Sequence, residues 1–149
     1  MQNALVITVS DRAWRGDRED RSGPALRDLL DTSGFSVIRI DVVPDDQEAI
    51  CSALRKGVDQ QIALIATTGG TGFAQRDVTP EATLQVIERR ADGLSEEMRR
   101  QSLQKTPFAV LSRGVSGIVG TTLIVNLPGS PKGACESLEA ILPVLPHAL

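Results

Sequence analysis

Short apolar runs alternate with stretches of helical periodicity along the whole chain. Ala4 to Val9 is apolar at nearly every position, which predicts a strand buried on both faces. Val37 to Val43 mixes Val37, Ile38, Ile40, Val42 and Val43 with polar residues and predicts a second strand. Ile62 to Ala66 predicts a third, Thr121 to Leu127 another, and Phe108 to Leu111 a short one between them. Pro24 to Leu30 starts a helix, with Pro24 at its first position and Gly34 as its stop. Asp46 to Lys56 predicts a helix with Ile50 and Leu54 on one face and Gly57 ending it. Thr79-Pro80-Glu81 opens the next: Thr79 serves as cap, Pro80 suits the first turn, and Glu81 favours the positive end. Ser95 to Gln104 is helical with Met98 and Leu103 inward, and Ser130-Pro131 starts a last helix carrying Ala134, Leu138, Ile141 and Leu142.

Strand–helix alternation of this kind predicts a mostly parallel central sheet covered on both faces, a three-layer α/β/α sandwich. The 149 residues suit a single domain, 1–149, with a real core, and no repeat or linker divides it. The net charge of −3 gives no electrostatic reason to expect nucleic acid or an anionic membrane as partner. Cys51 and Cys135 lie far apart with only His147 as a further soft ligand, so two buried thiols in a reducing compartment are expected rather than zinc or a disulfide. The run Asn3 to Val9 is too short for a signal peptide and has no basic lead-in, which predicts a cytoplasmic protein. The single tryptophan, Trp14, is expected to pack against a neighbour.

The unusual loops all follow predicted strands. Ser10-Asp11-Arg12 follows the first, Pro44-Asp45-Asp46 the second, Thr68-Gly69-Gly70-Thr71-Gly72 the third and Pro128-Gly129-Ser130-Pro131 the last. In a parallel sheet the carboxyl ends share one edge, where open α/β proteins place their ligands. Glycine and proline after a strand ordinarily make a turn, so no loop argues for a site alone. Gly69, Gly70, Thr71 and Gly72 are harder to dismiss, because bare N–H groups and a hydroxyl are what cradle an anion. The run is neither a P-loop nor a dinucleotide fingerprint, since no Gly-Lys-Ser/Thr follows and Gln75 stands where a third glycine belongs. Ser130 at a helix start, with Lys132 nearby, offers a second anion site or an ordinary cap.

Asp45 and Asp77 belong to the same edge. Carboxylates beside a bound phosphate repel it unless a divalent metal bridges them or one acts as a base. Asp45 or Asp46 has an alternative use as helix cap, whereas Thr79 already caps the helix after Asp77. Mg²⁺-assisted phosphoryl or nucleotidyl transfer, with Asp45 and Asp77 as metal ligands, is the inference from the residues.

Thr68-Gly69-Gly70-Thr71-Gly72 followed by Arg76-Asp77-Val78-Thr79-Pro80-Glu81-Ala82 resembles the signature of the molybdopterin-binding family, which includes bacterial molybdopterin adenylyltransferase and the G domain of gephyrin. Val9-Ser10-Asp11-Arg12, Asp20 to Pro24, Val43 to Asp46, Thr106-Pro107-Phe108, Leu111-Ser112-Arg113 and Asn126 to Pro131 match it in order, so the resemblance covers about Leu5 to Leu149. It implies transfer of AMP from ATP to the terminal phosphate of molybdopterin before molybdenum insertion. It implies catalytic roles for Asp45 and Asp77, and substrate contacts from Ser10, Gly69 to Gly72, Ser112, Arg113 and Ser130; Asp11, Gly129 and Lys132, in the same loops, are further candidate substrate contacts. A homotrimer and a downstream molybdenum-insertion protein as partner are implied as well. This chain has Val119 where some members carry arginine, and Asp46 where glutamate is common. The competing function is a carrier that binds molybdopterin without turnover; it needs the glycine cradle but has no use for metal-bridging carboxylates.

Overall fold

A computed structural model describes residues 1–149. Six strands form one sheet in the order β2-β1-β3-β6-β5-β4. β1 (Gln2–Val9), β2 (Phe35–Val43), β3 (Leu64–Thr68) and β6 (Thr122–Leu127) run parallel. β5 (Ser116–Val119) returns antiparallel to β6, and the two-residue β4 (Arg89–Arg90) pairs antiparallel with β5. The helices are α1 (Asp11–Arg15), α2 (Ser22–Thr32), α3 (Gln47–Asp59), α4 (Thr79–Val86), α5 (Asp92–Leu103), α6 (Pro131–Ile141) and α7 (Leu145–Ala148).

Alternation along β1 sorts the core into two layers. Ala4 and Val6 face Leu26 and Leu30 of α2, Met98 of α5, and Ala134, Leu138 and Ile141 of α6. Leu5, Ile7 and Val9 face Ile50, Cys51 and Leu54 of α3 and Ala82 and Val86 of α4. This is the three-layer α/β/α sandwich. Each fully buried leucine or isoleucine in it stabilises the fold by roughly 1.5–3 kcal/mol relative to exposure. No helix is long and apolar enough to cross a membrane.

Several local expectations give way to packing. Pro107–Leu111 is a 3-10 helix rather than a strand: Thr106 caps it, and Phe108, Val110 and Leu111 stand exposed with no neighbouring strand to pair. Gly57 does not end α3 but lies inside it, where a Cβ would sit 2.7 Å from Ile65 Cδ1 and 2.9 Å from Leu5 Cδ2; its bareness lets the helix settle on the sheet. Thr79 is not the side-chain cap of α4; its hydroxyl donates to Gly69 O at 2.9 Å instead. Leu103 and Trp14 are exposed, at 47% and 58%, and Cys135 is only half-buried, unlike Cys51.

Candidate active site

The β1 chain leaves the sheet toward β2 on one side, and β3 continues it on the other, so the loops after β1 and β3 part over a crevice. The four loops meet there. Asp11 N–H donates to Asp45 Oδ2 at 2.9 Å, joining the loops after β1 and β2. Gly69 N–H donates to Leu127 O at 3.1 Å and Thr68 Oγ1 to Pro128 O at 2.6 Å, joining those after β3 and β6.

The glycine loop is tied back through its carbonyls. Thr79 takes two of them, Oγ1 donating to Gly69 O and N–H to Gly70 O at 3.1 Å. Arg113 takes the next two, N–H donating to Thr71 O at 2.9 Å and Nε to Gly72 O at 2.7 Å. None of the N–H groups of Gly70, Thr71 and Gly72 is taken by a backbone carbonyl. Three consecutive donors without a protein acceptor, their carbonyls anchored by Thr79 and Arg113, are what a loop offers to an anion. Gly69 and Gly70 have φ of +100° and +70°, and a Cβ at either would collide, with Val9 O and with Thr79 Oγ1 respectively. Only glycine holds this path.

Both candidate carboxylates face that loop. The position of a Cβ on Gly70 lies 3.3 Å from Asp45 Oδ1, and one on Gly72 lies 2.9 Å from Asp77 Oδ2. Asp46 is the α3 cap, accepting from Ala49 N–H at 2.9 Å, which leaves Asp45 free of that task. Asp77 Oδ2 accepts from Ala74 N–H at 2.9 Å and closes the turn leading into α4. Burial pushes the Asp45 carboxyl above its ordinary range against the pull of the Asp11 N–H, and the charges of Asp11 and Asp77 push it the same way as burial. Asp11 is held below its ordinary range, chiefly by the Arg76 guanidinium, whose Nε and Nη2 donate at 2.6 and 3.0 Å.

The crevice has two lobes that share Ser130. The first, about 460 Å³, contains Ser10, Asp45, Gly69, Gly70, Asp77 and Gly129 in its walls. Thr8 and Asp20 belong to it too, Thr8 Oγ1 donating to Asp20 Oδ2 at 2.9 Å while Gly23 N–H donates to Asp20 Oδ1 at 3.0 Å. The second lobe, about 290 Å³, opens beneath α5 and α6 and takes Thr71, Gly72 and Ser112 into its walls. The Gly69–Gly72 loop is thus the ridge between them.

Asp11, Arg113 and Lys132 line neither lobe. Asp11 Oδ1 accepts from Asp45 N–H, while Arg113 also donates from Nη2 to Asp77 O at 2.8 Å and pairs with Glu81 at 2.7 Å, so both brace residues of the first lobe and the loop. Ser130 Oγ accepts from Gly133 N–H at 3.0 Å as the α6 cap. Sequence reasoning passed over the second lobe's helical walls. Ser95, Met98, Arg99 and Ser102 of α5 line it, as do Gly133, Glu136 and Ser137 of α6. Their signal was present: polar Ser95, Arg99 and Ser102 at i, i+4 and i+7, with the buried Met98 at i+3 on the same face.

The family model described as "Probable molybdopterin binding domain" matches residues 5–147. The chain belongs to that family. It is similar in structure to the molybdopterin biosynthesis enzyme MoaB of Thermus thermophilus, with TM-score 0.94 and 52% identity over 99% of this chain and 94% of that one. It is 42% identical over 147 residues to molybdopterin adenylyltransferase of Helicobacter pylori strain J99, covering 97% of this chain and 84% of that protein. It is 46% identical over 146 residues to the molybdenum cofactor synthesis protein cinnamon of Drosophila melanogaster, of whose length it spans 24%.

Proposed function

We propose that this member of the molybdopterin-binding family acts in molybdenum cofactor biosynthesis as a molybdopterin adenylyltransferase. A terminal phosphate oxygen of molybdopterin attacks the α-phosphorus of ATP, the bond to the bridging oxygen breaks, and pyrophosphate leaves with that electron pair. The observation that carries this reading is the free N–H of Gly70 in the lobe that Asp45 and Asp77 line, on a loop whose next two N–H groups, of Thr71 and Gly72, are free toward the other lobe. A cradle for phosphate flanked by two negative charges suits a metal–nucleotide complex and not a bare anion.

The donor set fits Mg²⁺, which binds through one or two carboxylates and completes its shell with phosphate oxygens and water. No three His, Cys, Asp or Glu side chains converge to hold an ion by themselves, so Asp45 and Asp77 would hold it together with ATP. When bound, Mg²⁺ neutralises charge that develops on the transferring and leaving oxygens. In this reading Gly69, Gly70, Ser10, Gly129 and Ser130 surround the nucleotide phosphates. Thr71, Gly72 and Ser112 border the pterin side, and Lys132 adds positive charge near the α6 start. Asp11 and Arg113 position Asp45 and the loop.

The chain assembles as a homotrimer in this reading, as the resemblance implies, and the exposed apolar turn of Phe108, Val110 and Leu111 supports a contact between copies. Incubation with molybdopterin, ATP and Mg²⁺, read by mass as adenylyl-molybdopterin and by pyrophosphate release, tests the activity. Bound but unmodified molybdopterin would favour a carrier.

A further inference from the structure

The second lobe has already satisfied most of its polar wall. Ser95 Oγ and Ser116 Oγ share a hydrogen bond at 2.7 Å, and Asn126 Nδ2 donates to Thr67 Oγ1 and Thr83 Oγ1 at 3.0 Å each. Met98 is buried in the wall, and Ala109 with the exposed Phe108 and Leu111 adds apolar lining, so the lobe offers an apolar seat for a planar ring. Among its lining residues Glu136 is the one acid and Arg99 the one base. Arg99 Nη1 donates to Gly114 O at 2.9 Å. The Glu136 carboxylate approaches only Lys105 Nζ, at 3.6 Å, outside hydrogen-bond distance, and that lysine side chain is 53% exposed. A pair without a hydrogen bond, whose lysine is largely in solvent, holds its partners weakly. Glu136 therefore keeps acceptor capacity for a ligand.

We infer that Glu136 reads the 2-amino-4-oxopyrimidine edge of the pterin and thereby sets which heterocycle the second lobe admits. The inference rests on the reading of the site as a molybdopterin site and adds a specificity-determining residue to it. The 2-amino group and N3–H of a pterin present two parallel donors, the pattern that a carboxylate accepts with both oxygens. Adenine presents one amino donor between ring nitrogens that carry lone pairs, and these face a carboxylate unfavourably. The base of ATP is thus turned away from this lobe while its phosphates occupy the other. A site built to accept a ligand's N–H donors discriminates strongly against the analogue that lacks them.

The test compares 6-hydroxymethylpterin with its 2-oxo counterpart, 6-hydroxymethyllumazine, on the wild-type protein and on Glu136→Gln, by isothermal titration, with thermal midpoints as a folding control. The wild type is expected to prefer the pterin by about tenfold or more. E136Q is expected to bring that preference within about threefold, without changing affinity for Mg-ATP. A wild type that binds both heterocycles equally, or an E136Q protein that keeps the full preference, overturns the inference. Pyrophosphate release from molybdopterin and ATP, assayed on the same wild-type sample, keeps the two readings apart. Turnover without pterin preference sinks the role of Glu136 alone, and a Glu136-dependent preference without turnover sinks the transfer reaction alone.

Discussion

Asp11 and Asp45 hold each other through reciprocal hydrogen bonds: Asp11 N–H donates to Asp45 Oδ2 and Asp45 N–H donates to Asp11 Oδ1, both at 2.9 Å. Two loops that are 34 residues apart in sequence are locked in register, and one oxygen of Asp45 remains to face the glycine loop. Asp11→Ala removes the acceptor of Asp45 N–H and the partner of Arg76, so the loop that carries Asp45 is held only through the remaining backbone N–H of residue 11 to Asp45 Oδ2. The expected result is a loss of about 1–2 kcal/mol of stability and about a tenfold fall in turnover. Asp11→Asn retains an acceptor oxygen and is expected to recover most of the rate. Denaturant midpoints and steady-state rates of the two variants check this.

Gly70→Ala tests the path of the loop. The residue has φ +70°, and the new methyl meets Thr79 Oγ1, which anchors Gly69 O. The strain is expected to cost about 1–3 kcal/mol and to displace the neighbouring N–H donors. A lowered thermal midpoint should accompany loss of ATP binding by titration calorimetry. Retained ATP affinity in a folded G70A protein would remove the loop from the phosphate site.

The architecture was readable because it rests on period: apolar runs marked β1, β3 and β6, and Ile50 with Leu54 marked the buried face of α3. The convergence of the four loops followed from parallel strands alone. What the residues did not disclose depended on partners distant in sequence. Spacing marked Arg113 as a candidate substrate contact but could not show that its guanidinium reaches back across 41 residues to Gly72 O. Thr79 looked like a helix cap because it precedes Pro80, yet the approach of the glycine loop offers its hydroxyl a better acceptor. The antiparallel β5 and the two-residue β4 carry little hydrophobic pattern and exist because β6 supplies an edge to pair with.

The titration of Asp45 gives a signed prediction. Its folded value is raised by burial and by the nearby Asp11 and Asp77 charges, so protonation favours the folded state at this group. Its contribution to stability therefore grows as pH falls through the raised value. Cation binding runs the opposite way, since it needs the ionised form: Mg²⁺ affinity declines with acid from a pH above the ordinary aspartate value of 3.8. Carboxyl carbon NMR is expected to show Asp45 titrating above that value in the wild type and lower in Asp77→Asn, where a like charge has gone. An unchanged Asp45 titration in D77N would mean that the two carboxylates do not share a site.

Assembly is read by light scattering at micromolar concentration, where three times the 15.9 kDa chain mass is expected. Replacing Phe108 and Val110, which are 75% and 66% exposed, with serine is expected to shift the mass toward the single chain. A trimer unaffected by the pair of substitutions would place the contact elsewhere.

In the proposed mechanism Asp77 acts in AMP transfer through its charge. Asp77→Asn keeps an oxygen to accept from Ala74 N–H, so the turn before α4 survives while the charge is removed. The decisive measurement is the rate of pyrophosphate release by D77N with molybdopterin, ATP and Mg²⁺, taken beside its thermal midpoint. The expected rate is lower by roughly a hundredfold or more, with the midpoint and molybdopterin binding retained. An unchanged rate beside a lowered midpoint would contradict the mechanism, leaving Asp77 as a residue that only stabilises its loop.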